Sequence, residues 1–175
     1  TKKLILDMIE AARDLSREPR TYWTDQLHNH DSIAGNHELG EEIWRQTNGR
    51  IDAFVHCVGT AASSRGVATA LKRHNPSVRM IAVEPAESAV LQGGAAGPHH
   101  IEGVGIGYVP PLWDPALADG LESVATASVR PRPWSVVTIS VVRSRYSESA
   151  CSQRHRSARN ASVRAAARAY WSYQP

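Results

Sequence analysis

The sequence predicts an α/β fold in three layers, α/β/α, around a mostly parallel and incomplete sheet. Three observations predict it. IDAFVHCV, residues 51–58, is apolar on both faces, as a strand is when helices cover both sides of a parallel sheet. Residues 64–74 then carry a helical pattern that Asn75-Pro76 ends. VRMIAVE, residues 78–84, is a second strand followed by Pro85. Strand, helix and strand within about 35 residues make a βαβ unit, whose crossover is right-handed.

The other elements follow in order. Residues 3–17 place Leu4, Ile5, Met8, Ile9, Ala12 and Leu15 at helical spacing. Residues 20–36 are polar and rich in turn formers, so they read as a connection. Residues 39–47, LGEEIWRQT, read as a short helix stopped near Asn48-Gly49. Residues 88–91 form at most a helical turn. Residues 93–111 form a long loop with six glycines, at 93, 94, 97, 103, 105 and 107. Residues 121–126 are a third, weaker strand. SVVTISVV, residues 135–142, reads as one more strand, and residues 161–171 as a marginal helix.

The chain has 175 residues, one domain's worth, with 42% hydrophobic and 21% charged residues. No apolar run approaches the roughly 20 residues that cross a bilayer. TKKLILDMIEAARD lacks the long apolar core and small-residue cleavage site of a leader, so it reads as an amphipathic helix. The first residue is Thr, which fits a fragment or a processed product. Cys57 and Cys151 match no zinc spacing and are too few for a disulfide scaffold, which implies a reducing, cytoplasmic setting.

Charge divides the chain. Residues 1–128 hold 3 Lys and 8 Arg against 16 acids, a net of −5. Residues 129–175 hold 9 Arg and one acid, Glu148, a net of +8. Leu, Ile and Val are too sparse late in this second part to bury a core. Residues 1–128 are therefore expected to be a partial cofactor-binding α/β domain. Residues 129–175 read as an Arg/Ser/Ala-rich tail, disordered or translated out of frame. The tail lacks Lys, and aromatics are not interleaved until Tyr170 and Trp171. That argues against an evolved nucleic-acid-binding arm.

The chemistry centres on VGTAASSRGV, residues 58–67. In α/β sheets ligands bind at the carboxyl ends of strands. The first amides of a helix have no internal partner, and the helix dipole favours an anion by about 0.3–1 kcal/mol. Small residues let the backbone close on a phosphate, and Thr60, Ser63 and Ser64 carry hydroxyls. The loop is neither a Walker A loop nor GxGxxG, since Ala61 and Ala62 stand at the later glycine positions. From the residues alone a plain turn, capped by Ser63 or Ser64, remains the competing reading.

The segment VGTAASSRGVATALKRHNP resembles the loop and helix of fold-type II pyridoxal-phosphate enzymes, the cysteine synthase family, which has G-T-G-G-T-x-x-G-V there. LGEEIWRQTNGRIDAFV is similar to that family's approach to the loop. IAVEPAESAVLQGGAAGPHHIEGVGIGYVPPLWD is similar to its VEP…GPH…G-I-G segment. The likeness spans about residues 22–123. It implies the larger cofactor domain of a fold-type II enzyme. It implies pyridoxal 5'-phosphate as cofactor, with Gly59, Thr60, Ala61, Ala62 and Ser63 around its phosphate and Gly103 lining the pocket. It also implies a small amino-acid substrate, a homodimer in the complete family member, and β-replacement on O-acetylserine or serine with sulfide or a thiol. Two departures stand out. Ala61 and Ala62 replace glycines, so the loop avoids positive φ there or bears strain. Tyr108 stands in the usual Phe region, and GIGY is closer to cystathionine β-synthase relatives.

No catalytic residue is assigned. The family's Schiff-base lysine lies in an S-x-K-[DN]-R context, which none of Lys2, Lys3 and Lys72 matches. Its asparagine loop and its G-x-SSG segment are absent as well. The expectation is a truncated form with little activity alone, or a non-catalytic phosphate-binding or dimerising module derived from the family. His28, His30, Asp31 and His37 cluster in LHNHDSIAGNH, but a nuclease or metal frame needs further ligands, so no metal site is assigned. His99-His100 reads as a structural turn and Glu84-Pro85 as a strand end. Trp23, Trp44 and Trp113 read as core or dimer contacts.

Overall fold

A computed structural model describes residues 2–128 and 139–142. Helix α1 spans Lys2–Leu15 and α2 spans Asp31–Gln46. Strand β1 is Ala53–Cys57, helix α3 is Ala62–His74, and strand β2 is Arg79–Pro85. Strand β3 is Gly120–Val124 and β4 is Ile139–Val142. The strand order is β3-β2-β1-β4. β1 pairs β2 in parallel, from Ala53 opposite Arg79 to Cys57 opposite Val83. β2 pairs β3 in parallel as well, and β4 runs antiparallel along the far edge of β1. The mostly parallel α/β sheet is thus as the sequence predicts.

The two faces of the sheet close differently. Phe54, Met80 and Ala82 point toward α3 and pack with Val67, Ala68, Leu71 and Leu112. Burying each large apolar side chain here contributes about 1.5–3 kcal/mol. On the other face Val55, Cys57, Ile81 and Val83 pack with Val124 and with Ile101 and Val104 of the glycine loop. Among the described residues that loop, not a helix, makes this second contact. β1 is buried along its whole length, which explains why it is apolar apart from His56.

One element differs from the reading of the sequence. Residues 20–36 were expected as a connection, yet α2 begins at Asp31. Tertiary packing is the reason. Gly40 lies against Val67 and Ala70 of α3, and Gly66 of α3 lies against Ile33 and Asn36 of α2. Two facing glycines bring the helix backbones together, and Ile33 becomes 8% exposed. That burial outweighs the weak helix propensity of Gly35 and Asn36. Smaller differences lie elsewhere. The expected turn at 88–91 is two short turns, Ala86–Ser88 and Val90–Gln92. Of the expected strand 135–142, residues 139–142 are in the sheet, and residues 135–138 lie outside the described residues. The expected helix at 161–171, Cys151 and the proposed character of the tail also lie outside them.

Opposite the strand carboxyl ends, Asp119 ties three elements together. Its Oδ2 accepts from the Met80 amide at 2.7 Å and from Lys72 Nζ at 2.6 Å. This fixes the end of α3 against β2 and the start of β3.

Candidate functional site

The carboxyl end of β1 turns through Val58, Gly59 and Thr60 into α3. Ala61 precedes the helix with φ +72°, and no side chain caps the helix. The competing reading, a turn capped by Ser63 or Ser64, is therefore not what the structure shows. Both serines lie inside the first turn. Ser64 Oγ donates back to Ala61 O at 2.9 Å and is buried, so it offers no hydroxyl outward. Ser63 Oγ lies 2.7 Å from His56 Nε2 of β1. The first turn holds no acid, and Lys72, Arg73 and His74 occupy the last turn. The basic last turn suits the helix dipole, and the acid-free first turn leaves its positive end open to an anion.

The left-handed conformation at Ala61 settles what replacing glycines does. An alanine there bears strain of about 1–2 kcal/mol. Ala62 is already helical and bears none.

Facing this turn is the loop of residues 99–107. Gly59 is pressed against the carbonyl of Gly103, so a Cβ at residue 59 would collide with backbone. The Gly105 amide donates to Val58 O at 3.3 Å, which docks the loop on the end of β1. His99 holds the loop internally. Its Nδ1 accepts from the Ile101 amide at 3.3 Å and its Nε2 donates to Gly105 O at 2.8 Å. An amide can only donate and a carbonyl can only accept, so these contacts define one neutral tautomer. Its expected structural role matches this geometry.

A cavity of about 750 Å³ opens between the two loops. Gly59, Thr60 and Gly103 line it, with His99, Glu102 and Ile5 of α1 among the other walls. Its size suits a small ligand. Of the predicted residues, these three reach the cavity. Ala61 and Ala62 are buried behind it, and Ser63 is half-buried beside His56. A small cleft alongside is lined by Val58, Gly59, Glu84 and Tyr108. Burial pushes the Tyr108 phenol above its ordinary value. Glu84 is 3% exposed and accepts from the amides of Leu91 and Gln92 at 2.8 and 3.1 Å. It anchors the chain that leaves β2, as the end of a strand should.

The sequence reading missed His56. The signal was a histidine in an otherwise apolar strand, seven residues before Ser63. Cys57 beside it faces the other side of the sheet, and burial pushes its thiol up to about 12. It is no nucleophile at neutral pH. His28 bonds Asp25 at 2.9 Å, and among the described residues no group of three or more His, Cys, Asp or Glu converges. Among them, too, no helix is long and apolar enough to cross a membrane.

Known proteins resemble the chain in sequence and fold. A cysteine synthase of Helicobacter pylori is 34% identical over 127 residues, which are 71% of this chain and 41% of that protein. Cysteine synthase 3 of Caenorhabditis elegans is 40% identical over 100 residues, 57% of this chain and 30% of that one. The crystal structure of a cysteine synthase from Entamoeba histolytica superposes with a TM-score of 0.64 at 38% identity, over 69% of this chain and 36% of that one. An O-acetylserine dependent cystathionine β-synthase from Helicobacter pylori gives 0.64 at 33% identity, over 69% and 40%. The chain thus spans about two fifths or less of the length of these relatives. The pattern that defines pyridoxal-phosphate dependent enzymes matches residues 4–131, beyond both ends of the likeness read from motifs. With that match across most of the chain, and an α/β sheet that opens its cavity at the strand carboxyl ends, the chain belongs to the family of pyridoxal-phosphate dependent enzymes.

Proposed function

We propose that Gly59, Thr60, Ala61, Ala62 and Ser63, with Gly103 facing them, hold the phosphate of pyridoxal 5'-phosphate. The observation that carries this is the uncapped start of α3, which opens beside the cavity without an acid in its first turn. The donor set fits the group: first-turn amides, the Thr60 hydroxyl and the Ser63 hydroxyl suit a dianion. Having no side chain, Gly59 lets the Gly103 carbonyl lie close to the strand end. When bound, the cofactor's ring supplies an electron sink for chemistry at an amino-acid substrate.

The reading extends to β-replacement on O-acetylserine or serine, with sulfide or a thiol as second substrate, in cysteine biosynthesis. The cysteine synthases among the relatives support it, as does an O-acetylserine dependent cystathionine β-synthase as the alternative activity. A small amino-acid substrate and a homodimeric complete protein belong to the same proposal. So does the division into residues 1–128, a partial cofactor domain, and residues 129–175.

No lysine with a described side chain reaches the cavity. Lys3 pairs with Asp7 at 2.7 Å, and Lys72 pairs with Asp119 at the opposite end of α3. The chain alone is therefore proposed to bind the phosphate group and to perform no β-replacement. Equilibrium dialysis against pyridoxal 5'-phosphate and against pyridoxal tests the cup. Stronger uptake of the phosphorylated form is expected, and equal uptake would sink it. Ordinary turnover of O-acetylserine and sulfide by this chain alone would refute the second half.

A specific observation favours a second reading. Leu4, Met8 and Leu15 share one face of α1 and are exposed. A non-catalytic module that pairs with a longer relative would cover such a face, and co-purification with that relative checks it.

A further inference from the structure

We propose that His56 is a positioning residue of the phosphate cup: its Nε2–H donates to Ser63 Oγ and turns the Ser63 hydroxyl proton toward the bound phosphate. The inference rests on the cup proposed above and adds a residue to it.

The geometry begins with the strand. His56 sits on the α3 side of β1, is 4% exposed, and stacks on Phe54 at 5.5 Å and 26°. The ring is held by packing before any ligand arrives. From that position Nε2 reaches Ser63 Oγ at 2.7 Å.

A serine in the first turn of a helix often turns its hydroxyl back onto its own backbone. Ser64 does this, donating to Ala61 O. Such a hydroxyl has given away its only proton and can no longer donate to a phosphate. Ser63 is bonded by the imidazole instead. A hydroxyl has one proton and two lone pairs. When His56 donates, one lone pair is used and the proton stays available. When Ser63 donates to an unprotonated Nε2, only its lone pairs are left for a phosphate, and they repel an anion. The tautomer of His56 thus decides whether Ser63 attracts or repels phosphate, and a bound phosphate selects the Nε2–H form. A charge-assisted bond of this kind is stronger than a neutral one.

The test uses the full chain, with pyridoxal 5'-phosphate and inorganic phosphate as probes. His56→Leu keeps most of the volume and removes the donor. It is expected to weaken uptake of pyridoxal 5'-phosphate roughly tenfold, the scale of one hydrogen bond to a charged group. His56→Gln, which retains an N–H, is expected to recover most of that loss. In a Ser63→Ala background His56→Leu should cost nothing further, since the two residues act through one bond. A merely structural histidine would give the same loss in both backgrounds, and that result overturns the proposal. Should the Leu variant fail to fold, the wild-type protein still decides. A long-range ¹H–¹⁵N spectrum is expected to show His56 protonated at Nε2, with that nitrogen shifting on addition of inorganic phosphate. Protonation at Nδ1, or no shift on saturation, overturns the proposal. Uptake that is equal in all variants overturns the role of His56 and leaves the cup standing. A wild-type chain that takes up neither probe overturns both.

Discussion

Ala61 is the clearest case of a residue at odds with its backbone. Its φ of +72° suits glycine, and its methyl is 2% exposed. Ala61→Gly removes the strain and loses a little burial, so it is expected to raise the unfolding free energy by roughly 1 kcal/mol in urea titration. No gain would mean that the turn tolerates the methyl through packing. Two residues before Gly59, Cys57 sets a pH dependence. Its folded value of about 12 lies above the ordinary 9.0. The unfolded thiol therefore loses its proton first as pH rises. The stabilising difference is complete below pH 9 and is lost as pH rises toward 12, by about 1.4 kcal/mol per pH unit. Cys57→Ala should flatten that slope between pH 9 and 10.5 in paired urea titrations. Tyr108 stays in both proteins, so an unchanged slope would take Cys57 out of the explanation.

The pairing of α2 with α3 depends on Gly40 and Gly66. A Cβ on Gly66 would stand 2.5 Å from Asn36 Cβ and 2.6 Å from Ile33 O. Gly66→Ala is expected to destabilise by roughly 2 kcal/mol, because overpacking a helix contact exceeds any gain in propensity. Gly35 has nothing within 4 Å of its Cβ position. Gly35→Ala is expected to stabilise by about 0.5–1 kcal/mol. Thermal unfolding of the two variants should move in opposite directions. Movement in the same direction would show that the helices can separate. Periodicity could not show this contact, because each glycine is small for the sake of the other helix. For the same reason the sequence alone reads the start of α2 as a connection.

The sheet crosses the boundary that composition draws at Ser128. β4 lies beyond it and pairs with β1 from Ala53 to His56. A chain ending at Ser128 would expose that edge of β1, the most buried strand. Such edges recruit other chains. Light scattering of the chain shortened to residues 1–128 is expected to show association that the longer chain lacks. A monomer with an unchanged unfolding midpoint would mean that β4 adds nothing to the edge.

The βαβ unit, the loop at Gly59 and the family motifs were legible along the chain, because each is a local pattern. Apolar runs, a breaker at Asn75-Pro76 and small residues at a strand end need only their neighbours to be read. The pairing of His56 with Ser63, the contact of Gly59 with Gly103 and the neutral tautomer of His99 were not legible. They depend on side-chain direction and on which loop meets which strand end. Three-dimensional packing alone fixes those, since it places the loop of residues 99–107 over the carboxyl end of β1 and opens a cavity between segments some forty residues apart.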